Sequence, residues 1–246
     1  MKLRSGSIWL NRLVYWLSRY WLLAVSFLVA IYVGLPWLAP LFMEIGWVRA
    51  GSTIYSLYAT QCHQLPQRSF FLFGTQPMYS LTEIQDIWQY TNDPLVLRQF
   101  VGEASVGWKV AWSDRMVFMY TSILLWGALF WTLRRRIKPL AWWGLILLLL
   151  PMAIDGFTHF ISDITAGIGL GFRDYNTWLT VLTSNTFPAT FYNGDSLGSF
   201  NSGMRFVTGL LFSLGVVWTL FPRMNGGFSD VASQIEAKFR IAGKTL

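Results

Sequence analysis

"YWLLAVSFLVAIYVGLPWLAPL", residues 20–41, decides the fold. Twenty-two residues pass without a charge. At about 1.5 Å of helix rise each, they cover a hydrocarbon core roughly 30 Å thick. The apolar run is too long for a signal peptide, and no small-residue cleavage site follows, so the segment is expected to stay in the chain. Three further runs have the same character: 116–133, 140–154 (which can continue through Asp155 to Ile161), and 204–221.

Composition agrees with this reading. The chain is 54% hydrophobic, with 14 Trp and 19 Phe. Only 13% of its residues are charged, against about 25% in a soluble domain. A net charge of +7 suggests nucleic acid until the charges are located. They alternate with the spans instead of forming one basic face, so no nucleic-acid partner is expected. The segment before the first span, the 134–138 loop and the tail after the fourth span carry twelve basic residues and two acids. The other two loops with their helix ends carry seven basic residues and ten acids, so a net +10 faces one side and −3 the other. Lysine and arginine concentrate on cytoplasmic loops. Both termini are therefore expected inside the cell, with the chain multi-pass in the plasma membrane.

The expected fold is all-α: an integral membrane four-helix protein with an extracytoplasmic helical cap and an N-terminal interfacial helix. Residues 1–19 form the interfacial helix, with Asn11, Arg12, Ser18 and Arg19 opposite Trp9, Leu13, Trp16 and Leu17. Residues 20–222 form one membrane domain with outer loops 42–115 and 163–203. Residues 223–246 form a cytoplasmic tail, reached through a flexible "NGGF" at 225–228. Within the first outer loop, Ser80 and Glu83 have capping-box spacing, Leu81, Ile84, Ile87 and Trp88 form an apolar stripe, and Pro94 suits the start of a second short helix ending near Gly102. "WLTVL" in the second loop is expected to dip partly into the membrane.

The polar residues converge on the outer side. Asp155, His159 and Asp163 recur every four residues, on one helical face. Arg115 opens the second span and Arg205 the fourth, with Asp155 expected to pair with one of them. "CHQLPQRS", 62–69, holds the only cysteine and one of two histidines. Unpaired ionisable groups in a membrane are costly, so these groups should pair or face a polar cavity. Two chemistries fit. In the first, His63 or His159, oriented by Asp155, acts as an acid–base catalyst, while Arg68, Arg115, Asn201 and Arg205 hold an anionic, lipid-like substrate. In the second, a single divalent, zinc-like metal sits among Cys62, His63, His159 and Asp163. A lone cysteine excludes an intrachain disulfide. No P-loop, dinucleotide fingerprint, haem-ligating pair or nucleophile elbow occurs. Expected partners are membrane lipids and other membrane subunits. A non-enzymatic scaffold subunit and an oligomeric transporter are the competing roles.

Taken together, "CHQLPQRSFFLFG", the span opening at Arg115 and Tyr120, "IDGFTHF" and "SFNSGMRFVTGLLFSLG" resemble a prokaryotic multi-pass membrane protein family catalogued only as a domain of unknown function. Cys62, His63, Pro66, Arg68, Ser69, Arg115, Tyr120, Asp155, Gly156, Asn201, Arg205, Thr208 and Gly209 match its pattern. Ser113 and Met116 stand where the family carries paired cysteines, and His159 stands where a polar amide is expected. The resemblance implies a shared site at these positions and no particular activity.

Overall fold

A computed structural model describes residues 5–246. The orientation count used Lys2 and Arg4, which lie outside them. In chain order the helices and strands are α1 (Ser5–Arg19), α2 (Trp21–Glu44), α3 (Val48–Tyr58), β1 (Ser69–Leu72), α4 (Leu81–Ile87), α5 (Pro94–Leu97), β2 (Gly102–Glu103), β3 (Gly107–Ser113), α6 (Asp114–Leu133), α7 (Trp142–Ala166), α8 (Phe172–Tyr175), α9 (Thr177–Leu182), α10 (Ala189–Tyr192) and α11 (Phe200–Ile241). Four of them, α2, α6, α7 and α11, are long and apolar enough to cross a membrane. Their length and composition suggest a membrane protein. α1, the C-terminal part of α11 and the 134–138 loop share one end, and the longer connections share the other.

The spans pack in a row: α2 against α6, α6 against α11, α11 against α7. Contact between α6 and α7 is slight, because α11 lies between them. At the α6–α11 seam the backbones approach closely at Gly209, where a Cβ would sit 3.1 Å from the Met119 nitrogen. Ser122 and Ser213 meet there at 2.6 Å. Small residues permit such seams between membrane helices.

At two of the prolines inside the spans, other donors take the carbonyls they free. Pro36 leaves the Tyr32 carbonyl without its helical partner, and the Tyr58 hydroxyl donates to it at 2.8 Å. Pro222 likewise frees Trp218 O, which accepts the Leu140 N–H at 3.2 Å.

Two features depart from the sequence-based expectation. First, the cap is not all-helical. β1, β3 and β2 form an antiparallel sheet in that order, with Phe71 opposite Lys109 and Gly102 opposite Trp108. The helices α4 and α5 do form, capped by Ser80 and Asp93, but Gly102 enters the sheet. β3 runs directly into α6, and its Val110, Ala111 and Trp112 are buried against α2 and α3. A strand buried on both faces lacks the alternation that reveals strands in sequence. Second, the tail is not set off by a flexible exit. α11 continues unbroken through "NGGF" for 42 residues, about 63 Å of helix. Two internal glycines cost about 1 kcal/mol each. Burial of Ala232, Ile235 and Phe239, with α1 packed alongside, offsets this. The α1 apolar face, with Trp9, Leu13, Trp16 and Leu17, remains exposed. "WLTVL" forms α9, whose Val181 and Leu182 are exposed.

Candidate functional site

The loop 59–68 is held from below by two buried side chains. Gln64 adopts φ +53°, and its amide donates to Tyr55 O at 2.9 Å and Ala111 O at 3.0 Å. Lys109 of β3, fully buried, donates from Nζ to Gln64 O and Arg98 O, each at 2.8 Å. Burial pushes this ammonium down to about 7, and the nearby Cys62 sulfur opposes the shift. Pro66 then starts a 3-10 turn that ends at Arg68, and the Ser69 hydroxyl closes back on Leu65 O at 2.9 Å. The motif therefore aims one guanidinium at the spans.

Arg68 begins a chain of buried pairs. Its Nη1 and Nη2 donate to the two Asp163 oxygens at 2.8 and 3.0 Å, and its Nε donates to Asp195 Oδ2 at 2.6 Å. Asp195 Oδ1 accepts from Arg205 Nη1 at 2.7 Å. Arg205 Nε lies 2.8 Å from the Asp114 carboxylate, which also accepts the Arg115 N–H at 2.7 Å. A second group forms around Asp155, whose carboxylate takes Arg173 at 2.6 Å and Arg115 at 2.8 Å. Burial disfavours the Asp195 charge, but the Arg68 and Arg205 guanidiniums outweigh it and hold the carboxyl well below the usual range. The same carboxylates raise Arg68 above its ordinary value against its own burial. Asp174 has no such guanidinium contact among the described residues, and burial with the Asp195 charge pushes it up to about 6.

Some of these groups border a cavity of about 350 Å³ whose wall includes Cys62, His63, Arg68, Arg115, His159, Asp163 and Arg205. Three guanidiniums and one carboxylate stand in this wall. Asp114, Asp155 and Asp195 are more deeply buried than two of the arginines, with side chains at most 3% exposed against 13% for Arg68 and 17% for Arg115, whereas Arg205 is buried like them at 2% and Asp163 of the wall is 18% exposed. Two buried donors of wall residues are unused among the described residues: Arg115 Nη1 and His159 Nδ1. His159 Nε2 lies 3.1 Å from Arg173 Nη2. A guanidinium only donates, so Nε2 is the acceptor and Nδ1 carries the proton. Phe160 and Ile164 of α7 line the cavity and are also exposed on the flank of the spans, beside the gap between α6 and α7.

Several expected roles change. Asp155 is paired with Arg115, whereas Arg205 turns to Asp114 and Asp195. Asn201 is no part of the cavity wall. Its amide donates to Arg173 O at 2.7 Å and Gly194 O at 2.9 Å, pinning the second loop to α11. Asp155 is also no wall residue, and it lies 4.0 Å from His159 Nε2 with the Arg173 guanidinium between as shared donor. His63 stands exposed at the wall with no aspartate partner among the described residues. Cys62, His63, His159 and Asp163 border one cavity, but among the described residues no three His, Cys, Asp or Glu side chains are grouped to hold a metal. The physical reason is competition: Arg68 occupies both Asp163 oxygens, and Arg173 occupies His159 Nε2. The Cys62 sulfur accepts the Gln64 and Ser113 N–H groups, each at 3.4 Å.

Asp114, Arg173, Asp195 and Lys109 escaped the sequence reading. Arg173 and Asp195 sit in Gly/Ser/Asn-rich loop sequence that reads as turns. The available signal was charge balance: three arginines gathered at one level need more than Asp155 and Asp163 to neutralise them.

No family model matches the chain, and no solved structure matches it. It is similar to an uncharacterised protein of Methanocaldococcus jannaschii, 25% identical over 214 residues, which is 84% of this chain and 93% of that protein.

Proposed function

We propose that the chain is a plasma-membrane protein with both termini cytoplasmic, and that its outward cavity binds the anionic headgroup of an amphipathic, lipid-like molecule. The observation that carries this reading is the arrangement of charge: three guanidiniums and one carboxylate, Asp163, stand in the cavity wall, while Asp114, Asp155 and Asp195 are buried outside it. Arg115 Nη1 and His159 Nδ1 are donors without acceptors, and an oxyanion supplies them. Guanidinium forks suit phosphate and carboxylate. The tail of the ligand lies along Phe160 and Ile164 into the gap between α6 and α7. Any proton transfer to or from the ligand falls to His63, the exposed imidazole of the wall.

Native mass spectrometry of the detergent-purified full chain with dioleoyl phosphatidate tests this. Arg115→Gln should weaken binding about tenfold, in line with the loss of a charged hydrogen bond. Equal binding by wild type and variant, with both folded, contradicts the reading.

A scaffold role has one observation in its favour: Arg68 and Arg205 are already satisfied by aspartates, as in a purely structural brace. A subunit of that kind would leave phosphatidate binding unchanged in the same experiment. The transporter reading lacks support among the described residues, since α2 runs continuously through Pro36 and Pro40.

A further inference from the structure

A second cavity, of about 490 Å³, lies at the opposite end of the spans. Its walls come from three places: Arg19 and Trp21 where α1 meets α2, Trp131 with Arg134 and Arg135 at the end of α6, and the continuation of α11 beyond Pro222. Asn225, Ser229 and Ser233 follow at steps of four and turn one polar face of α11 toward the cleft. Three guanidiniums therefore face a single carboxylate, Glu236, which already accepts the Tyr15 hydroxyl at 2.9 Å. The Arg134 guanidinium is parked 3.8 Å over the Trp131 ring. Arg19 and Arg135 have neither hydrogen bond nor ion pair among the described residues. Unlike the outer arginines, these have no carboxylate paired with them among the described residues.

The level of the cleft identifies its ligand. Arg19 lies two residues before Trp21, the first residue of α2, and Arg134 immediately follows α6, so the guanidiniums sit where the hydrocarbon ends. Lipid phosphates lie at that depth. A concave basic site between membrane helices, bounded by tryptophans that favour the interface, fits a phosphate headgroup. Ser229 and Ser233 add hydroxyls that can bond a hydroxylated headgroup such as glycerol.

We propose that this cleft is a binding site for the phosphate of an anionic lipid in the leaflet on the side of the termini. Arg19, Arg134 and Arg135 contact the phosphate, and the α11 hydroxyls face the remainder of the headgroup. The site is separate from the arginine-fronted cavity and does not depend on its function.

The test uses the full chain in detergent and native mass spectrometry with dioleoyl phosphatidylglycerol or phosphatidylcholine. All proteins carry Arg115→Gln, which weakens the other cavity equally in each, so a difference between them arises at the cleft. In that background, adding Arg19→Gln and Arg135→Gln should cut the preference for phosphatidylglycerol about thirtyfold, since each arginine near an anionic headgroup contributes about fivefold. Both are exposed surface residues, and an unchanged thermal midpoint verifies folding. An unchanged preference overturns the proposal. Displacement of phosphatidylglycerol by an equal concentration of free glycerol phosphate also overturns it, in favour of a soluble phosphate ligand.

Discussion

Asp195 bridges Arg68 and Arg205: Oδ2 lies 2.6 Å from Arg68 Nε, and Oδ1 lies 2.7 Å from Arg205 Nη1. One carboxylate from the second loop thereby ties the first loop to the last span. Asp195→Ala should cost about 3–5 kcal/mol, the penalty of leaving buried charges unpaired. Differential scanning fluorimetry in detergent reads this as a lowered midpoint. Because the carboxyl is held below its ordinary 3.8, its contribution is present above that pH and is lost as pH falls further.

Asp174 has the opposite sign. Its folded value, about 6, exceeds the unfolded 3.8. The contribution is therefore present below the unfolded value and disappears as pH rises through 6. Asp174→Asn keeps an acceptor for the Gly171 N–H, 2.9 Å away, and removes the charge. At pH 7.5 the variant should be more stable than wild type, by on the order of 2 kcal/mol. At pH 4 the gap should close. A constant difference across that range would show that Asp174 does not titrate there.

Lys109 should make stability rise with pH. The unfolded ammonium titrates near 10.5 and the buried one near 7, so between those values the unfolded chain holds the extra proton. Melting midpoints of wild type should climb relative to Lys109→Met from pH 7 to 10. A parallel pair of curves would place the charge elsewhere.

Gly171 sets the docking of the loop that carries Arg173. A Cβ there would sit 2.0 Å from Ser162 Oγ and 2.7 Å from the Ser162 carbonyl oxygen, so Gly171→Ala must push α8 off α7. Ser162 Oγ also accepts the Arg173 N–H at 3.1 Å. The expected loss is about 1–3 kcal/mol, as for overpacked interiors. Gly203→Ala, with open space at its Cβ, serves as the neutral control.

How much of this was legible from sequence follows the range of the interactions. The spans are local: a charge-free run near residue 20 identifies α2 without tertiary information. The capping box at Ser80 is local too. The i, i+4, i+8 spacing places Asp155, His159 and Asp163 on one turn-by-turn face, and α7 has that face. What eluded the reading is non-local. β3 is a strand only because β1 and β2 flank it and α2 covers it. α11 runs through two glycines only because α1 lies alongside. Arg173 and Asp195 join the cluster through loops whose sequence signals only turns.

Cys62 provides the most direct test of the anionic cavity, because the only thiol of the chain lies in its wall. The alkylation rate of Cys62 by iodoacetamide can be followed in detergent with and without dodecyl phosphate. Dodecyl phosphate should slow alkylation at concentrations where the neutral dodecyl maltoside does not, and Arg115→Gln should abolish the protection. An alkylation rate indifferent to the phosphate, in folded wild-type protein, would contradict the central claim.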